Sequence, residues 1–66
     1  MKLRLNGNMS EIRDNITVSG LLESLNISAG SVAVEVNMDI VKKCDFEKCM
    51  LKDGDAVEIV NFVGGG

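Results

Sequence analysis

Polar and apolar residues alternate in Lys2-Leu3-Arg4-Leu5, which predicts a strand with Leu3 and Leu5 facing a core. Asn6-Gly7-Asn8 follows, and Asn-Gly is the strongest short signal for a two-residue hairpin turn. Met9 to Arg13 is then expected to return as a second, antiparallel strand with Ile12 inward. Asp14-Asn15 breaks the pattern, and Thr17 stands where a helix N-cap belongs. Val18, Leu21, Leu22 and Leu25 recur at i, i+3, i+4 and i+7, one face of an amphipathic helix whose first turn Gly20 weakens. Asn26 to Gly30 ends that helix. Alternation resumes from Ser31 to Asn37, with Val32, Val34 and Val36 on one side and Ala33 and Glu35 on the other. Asn37-Met38-Asp39 reads as a turn into a short Ile40-Val41 strand. Lys43 to Leu51 is helical or irregular, Lys52-Asp53-Gly54-Asp55 is a turn, and Ala56 to Val63 forms a final strand.

The predicted order is β-β-α-β-β-(short helix)-β, an α+β fold of about five strands with one main helix across a sheet. The strand returning after the helical crossover is expected to run parallel to the first, making the sheet mixed. This is the order of a β-grasp, ubiquitin-like domain. It covers residues 1–63, leaving 64–66 as a flexible glycine tail.

In the final strand Val57 and Ile59 face one side while Glu58, Val60 and Phe62 share the other. With Glu58 on the solvent side, Val60 and Phe62 become apolar groups outside the core, the usual mark of a contact surface. Beyond them lie Gly64, Gly65 and Gly66. Glycine is the costliest residue to hold in one conformation, so such a run gives little stability. It supplies a backbone thin enough for a narrow slot, with a carboxylate at its end. Taken alone, three glycines also suit a linker or a frayed terminus.

Composition narrows the function. Lys and Arg number 7 against 10 Asp and Glu, a net charge of −3, so neutralising the phosphates of nucleic acid is not expected. No apolar run approaches the roughly 20 residues of a membrane span, and the start is too short and too alternating for a signal peptide. The expectation is a soluble cytoplasmic protein. His, Tyr, Trp and Pro are all absent, and 66 residues leave little room for a water-excluding pocket. Independent catalysis is not expected. Cys44 and Cys49, five positions apart on a helix, would point about 140° from each other, which disfavours a bridge or joint metal ligation. They read as reduced thiols. Asp53 and Asp55 lack the further ligands of a calcium loop.

Several stretches together resemble one family. Val32-Ala33-Val34-Glu35-Val36-Asn37, then Leu51-Lys52-Asp53-Gly54-Asp55-Ala56-Val57-Glu58-Ile59-Val60-Asn61-Phe62-Val63 running into Gly64-Gly65-Gly66, look like the ThiS family, the sulfur carriers of thiamine biosynthesis. The opening Asn6-Gly7 strand and the Thr17-to-Leu25 helix extend the likeness over nearly the whole chain. Where the family often has Pro-Arg and then Trp, this chain has Lys42-Lys43 and then Phe46.

The resemblance implies that an ATP-dependent activating enzyme adenylates the Gly66 carboxylate, that a sulfur donor such as a cysteine desulfurase converts it to a thiocarboxylate, and that thiazole synthase receives the sulfur. Gly64 and Gly65 would thread the partner's slot while Val60 and Phe62 dock. ATP and magnesium would belong to the activating partner, with no cofactor on this chain; Gly64-Gly66 opens no helix and precedes no Lys, so it is no phosphate-cradling loop. A molybdopterin-synthase small subunit, a ubiquitin-like modifier and an inert β-grasp interaction module share the architecture, though the molybdopterin carriers are expected to be longer, with prolines before the tail.

Overall fold

One-sided burial turns the alternating segments into a single five-stranded sheet. In a computed structural model describing residues 1–62, the strands are β1 (Lys2–Leu5), β2 (Asn8–Glu11), β3 (Val32–Val36), β4 (Asp39–Val41) and β5 (Ala56–Asn61), with one helix, α1 (Val18–Ser24). The sheet order is β2-β1-β5-β3-β4. β1 and β5 are parallel, and the other neighbours are antiparallel. This is the expected mixed β-grasp arrangement, with one correction: β3 does not run parallel to β1. It runs in the direction of β2, the strand that enters the helical crossover, and β1 finds its parallel neighbour in the last strand. The final strand stops at Asn61 among the described residues; Val63 and the glycine tail lie outside them.

Leu3, Val32, Val34 and Val57 bury their side chains from the sheet against Val18, Leu21 and Leu22 of α1. Thr17 caps α1: its Oγ1 accepts from the Gly20 amide at 3.1 Å. At the other end Asn26 adopts φ 59°. The Ile27 and Asn26 amides then donate to the Leu22 and Glu23 carbonyls at 2.9 and 3.0 Å. Those paired bonds close the helix as a Schellman motif. The helix therefore ends one residue before Leu25, which is 37% exposed rather than part of the buried face.

The segment before β5 is anchored on the start of α1. Only Lys43–Asp45 forms a turn of 3₁₀ helix. The next turn carries Phe46, 3% exposed, into the core. Its carbonyl accepts from the Ser19 amide at 2.9 Å, and that of Cys49 from Val18 at 3.0 Å. Two amides that a helix start leaves unpaired are satisfied this way. Phe46 thus fills the space under the connection with an apolar ring. Cys44 and Cys49 do not share a continuous helix, so their relation is not set by helical geometry. Both are free, Cys44 exposed and Cys49 half-buried.

Candidate functional site

The strand leading to the tail is the central one, with neighbours on both sides. β1 pairs with only its first part, Ala56 and Val57. Beyond that point β1 has turned into the hairpin, and Asn6 takes over with its side chain. Asn6 Oδ1 accepts from the Ile59 amide at 2.7 Å, and Asn6 Nδ2 donates to the Ile59 carbonyl at 3.2 Å. On the other side, β3 pairs with β5 from Val57 to Asn61, and the Phe62 amide donates to the Ser31 carbonyl at 3.0 Å. The backbone is held as far as the last described residue.

The opposite end of β5 is held by a second asparagine. Asn37 Oδ1 accepts from the Ala56 amide at 3.0 Å, and Nδ2 donates to Asp55 Oδ1 at 3.0 Å. Both asparagines occupy the first position of a two-residue turn, with φ 48° at Asn6 and 52° at Asn37. Asn tolerates this left-handed conformation, and from it the short amide reaches the neighbouring strand. These two contacts are absent from the sequence reading, where the asparagines are only turn formers; an Asn at a hairpin's first turn position is the signal that finds them.

Asp53 and Asp55 serve backbone donors. Asp53 Oδ1 accepts from the Lys2 amide at 2.7 Å and Asp55 Oδ2 from the Lys52 amide at 2.8 Å. No group of three or more potential metal ligands occurs among the described residues. Likewise, no described helix is long and apolar enough to cross a membrane. The Met1 amine donates to Asp14 Oδ1 at 2.9 Å, which raises its pKa above the usual 8.0. That pair sits at the start of β1, at the end of the sheet opposite to where the parallel strand β5 finishes.

On the outer face, away from α1, Val60 is 60% exposed and Phe62 51%. Val57 is buried and Ile59 half-buried on the helix side, so the strand's alternation falls as expected. The structure thus places Val60 and Phe62 together, exposed, immediately before the tail. Gly64, Gly65 and Gly66 lie outside the described residues. On the helix side, Leu5, Leu25, Ile27 and Ile59 line a shallow groove rimmed by Asn6 and Asn61.

Comparison with known proteins bears on what this end of the sheet is for. The sequence profile of the ThiS family matches residues 3–66. The chain belongs to the ThiS family. It is 40% identical over 65 residues to the sulfur carrier protein ThiS of Bacillus subtilis, covering 97% of this chain and 98% of that protein. The crystal structure of the thiamine biosynthesis protein ThiS from Geobacter metallireducens superposes with a TM-score of 0.87 at 38% identity, each chain fully covered. The whole chain is also 42% identical over 66 residues to part of a thiazole synthase from Paramagnetospirillum magneticum. It spans 20% of the length of that relative, and the same share of the thiazole synthase of Magnetococcus marinus. The ThiS likeness therefore includes the three glycines, and the described part of the fold ends one residue after β5.

Proposed function

We propose that this protein is a sulfur carrier of thiamine biosynthesis whose reactive group is the C-terminal carboxylate of Gly66. The observation that carries the reading is the arrangement at β5: a central strand, pinned at Ile59 by Asn6, aims the chain toward Gly64-Gly65-Gly66 and carries Val60 and Phe62 exposed beside the exit. Family membership supports the same end for the tail.

A carboxylate resists attack by sulfur because oxide is a poor leaving group. The ATP-dependent activating enzyme converts it to an acyl-adenylate and releases pyrophosphate. A donor persulfide, such as one on a cysteine desulfurase, attacks the acyl carbon and AMP departs. A further thiol splits the resulting acyl disulfide, leaving the thiocarboxylate on Gly66 and a disulfide on the donor side. Nothing in these steps calls for an acid or base on this chain, in keeping with its lack of His and Tyr. The match of the whole chain to part of proteins named thiazole synthase supports thiazole synthase as the recipient of the sulfur.

Incubation with the activating enzyme, ATP, magnesium and sulfide tests the reading by intact mass spectrometry. One oxygen replaced by sulfur at Gly66 is expected. A chain that remains unmodified while the Bacillus relative is converted alongside it would overturn the reading.

A further inference from the structure

Asn6-Gly7 carries a reactivity that turn formation does not use. In an Asn-Gly pair the glycine nitrogen can attack the side-chain carbonyl carbon of the asparagine and close a five-membered succinimide. Glycine favours this step because no side chain crowds its nitrogen. The chain holds six asparagines, and Asn6 is the one followed by glycine. The others precede Met9, Ile16, Ile27, Met38 and Phe62, all bulkier. Asn6 and Gly7 are both exposed, and a Cβ on Gly7 would meet nothing within 4 Å. Water and base therefore reach the turn, and access does not limit the reaction.

What limits it is the direction in which the Asn6 side chain is held. Its amide group is committed to Ile59, Oδ1 accepting from the backbone amide at 2.7 Å and Nδ2 donating to the carbonyl at 3.2 Å. Bonding the side-chain carbon to the Gly7 nitrogen would turn that group back on its own backbone and expel Nδ2. The two bonds to Ile59 and the ring exclude each other. The folded chain must open this clamp before it can react, and such openings are local events that leave the rest of a core in place.

We propose that Asn6 is a guarded deamidation site, protected by its clamp on Ile59, whose modification permanently unfastens β5 from the hairpin. The Gly7 amide loses its proton to base, its nitrogen bonds to Asn6 Cγ, and Nδ2 takes up a proton and leaves as ammonia. Water then opens the succinimide at either carbonyl, giving aspartate or isoaspartate at position 6. The net change consumes one water and releases one ammonia, with no oxidant or reductant. An aspartate lacks the Nδ2 donor and sets a carboxylate oxygen against the Ile59 carbonyl. An isoaspartate also adds a methylene to the backbone of a turn set at φ 48° and 86°. Neither product remakes both bonds, so a transient opening becomes a lasting one. Beyond Val57, β5 then keeps only its β3 neighbour, and that stretch carries Val60 and Phe62.

The test ages the intact chain beside a synthetic peptide running from Leu3 to Ser10, which has the same Asn-Gly without the fold, in one buffer at one temperature. Isoelectric focusing follows the negative charge gained, and peptide mapping places the product at position 6. Mapping separates it from isoaspartate formed at Asp53-Gly54, which brings no change of charge. The folded chain is expected to deamidate about tenfold or more slowly than the peptide, the factor that two favourable hydrogen bonds supply. Urea below the unfolding transition should raise its rate in parallel with hydrogen exchange at the Ile59 amide. The deamidated chain, separated by ion exchange, should melt lower and show faster exchange at Ile59. Equal rates in chain and peptide, or a rate that urea leaves unchanged while Ile59 exchange rises, would overturn the guarding role. Unchanged protection of Ile59 in the deamidated chain would overturn the unfastening.

Discussion

Asn6 and Ile59, separated by 53 positions in sequence, exchange two hydrogen bonds, the asparagine side chain accepting from one backbone amide and donating to the adjoining carbonyl. A side chain here continues a parallel ladder that the backbone of β1 has left. The consequence is mechanical: the strand that delivers the tail is held on both sides nearly to its end.

Separating the side chain from the turn tests this. Asn6→Gly keeps the left-handed turn accessible but deletes the amide, and should cost about 1 kcal/mol. Asn6→Ala loses the bonds and also forces a Cβ into φ 48°, so its cost should be larger by about 1 kcal/mol. Chemical denaturation gives the totals, and hydrogen exchange at the Ile59 amide shows where the loss falls. Unchanged protection at Ile59 in Asn6→Gly would refute the role assigned to the side chain.

Gly20 is a second local prediction. Helix propensity alone favours Gly20→Ala by up to about 1 kcal/mol. A Cβ at this position, however, would lie 2.9 Å from Ile16 Cγ1, and Ile16 is only 2% exposed. The contact is with the inner part of a packed side chain, which has no free direction in which to move. Overpacking of this kind costs about 1–3 kcal/mol, so net destabilisation is expected. In an Ile16→Ala background the same change should become stabilising, and a double-mutant cycle reads the difference.

Most strands were legible because burial on one face enforces a period of two, as in Val32-Ala33-Val34-Glu35. The hairpin at Asn6-Gly7 was legible because its φ values, 48° and 86°, suit few other pairs. The turn at Asn37-Met38 is the same device with a poorer residue, Met38 at φ 73° and 89% exposed. The placement of Leu25 failed because a Schellman closure outweighed the apolar period. The geometry of Cys44 and Cys49 failed because Phe46 had to reach the core, which broke any continuous helix. The register that sets Glu35 of β3 opposite Glu58 of β5 was beyond reach: it depends on β5 inserting between β1 and β3, a long-range pairing that no local pattern encodes.

Phe62 is half-exposed on the outer face, so its ring contributes little to the isolated fold. Phe62→Ala should leave the melting temperature nearly unchanged. It should weaken the complex with the activating enzyme by about 1–3 kcal/mol, the range for an aromatic anchor. Calorimetry beside a thermal melt distinguishes the two. A large loss of stability with unaltered affinity would mean that the ring belongs to the core.

Cys44 and Cys49 are expected to be dispensable for sulfur transfer. Both are free; Cys49 is half-buried against the core and its carbonyl is committed to the start of α1. Cys44→Ser/Cys49→Ser should acquire sulfur at the native rate in the presence of a persulfide donor. A folded double variant that forms no thiocarboxylate would instead place a persulfide on this chain.

The strongest demand falls on the tail. Only a free α-carboxylate can be converted to an acyl-adenylate, so a single residue added after Gly66 should abolish modification. Gly65→Ala should impair it severely, because a slot that admits bare backbone excludes a Cβ. Deleting Gly66 retracts the carboxylate by about 3.5 Å and should also abolish or sharply reduce modification. The three changes should leave the melting temperature where it is, since the core is assembled from residues between Leu3 and Val57. Intact mass after incubation with activating enzyme, ATP and sulfide gives the extent of sulfur incorporation. Each variant should still compete with the native chain for the enzyme, because Val60 and Phe62 remain in place. An extended chain modified as readily as the native one would show that the carboxylate of Gly66 is not the site of sulfur attachment.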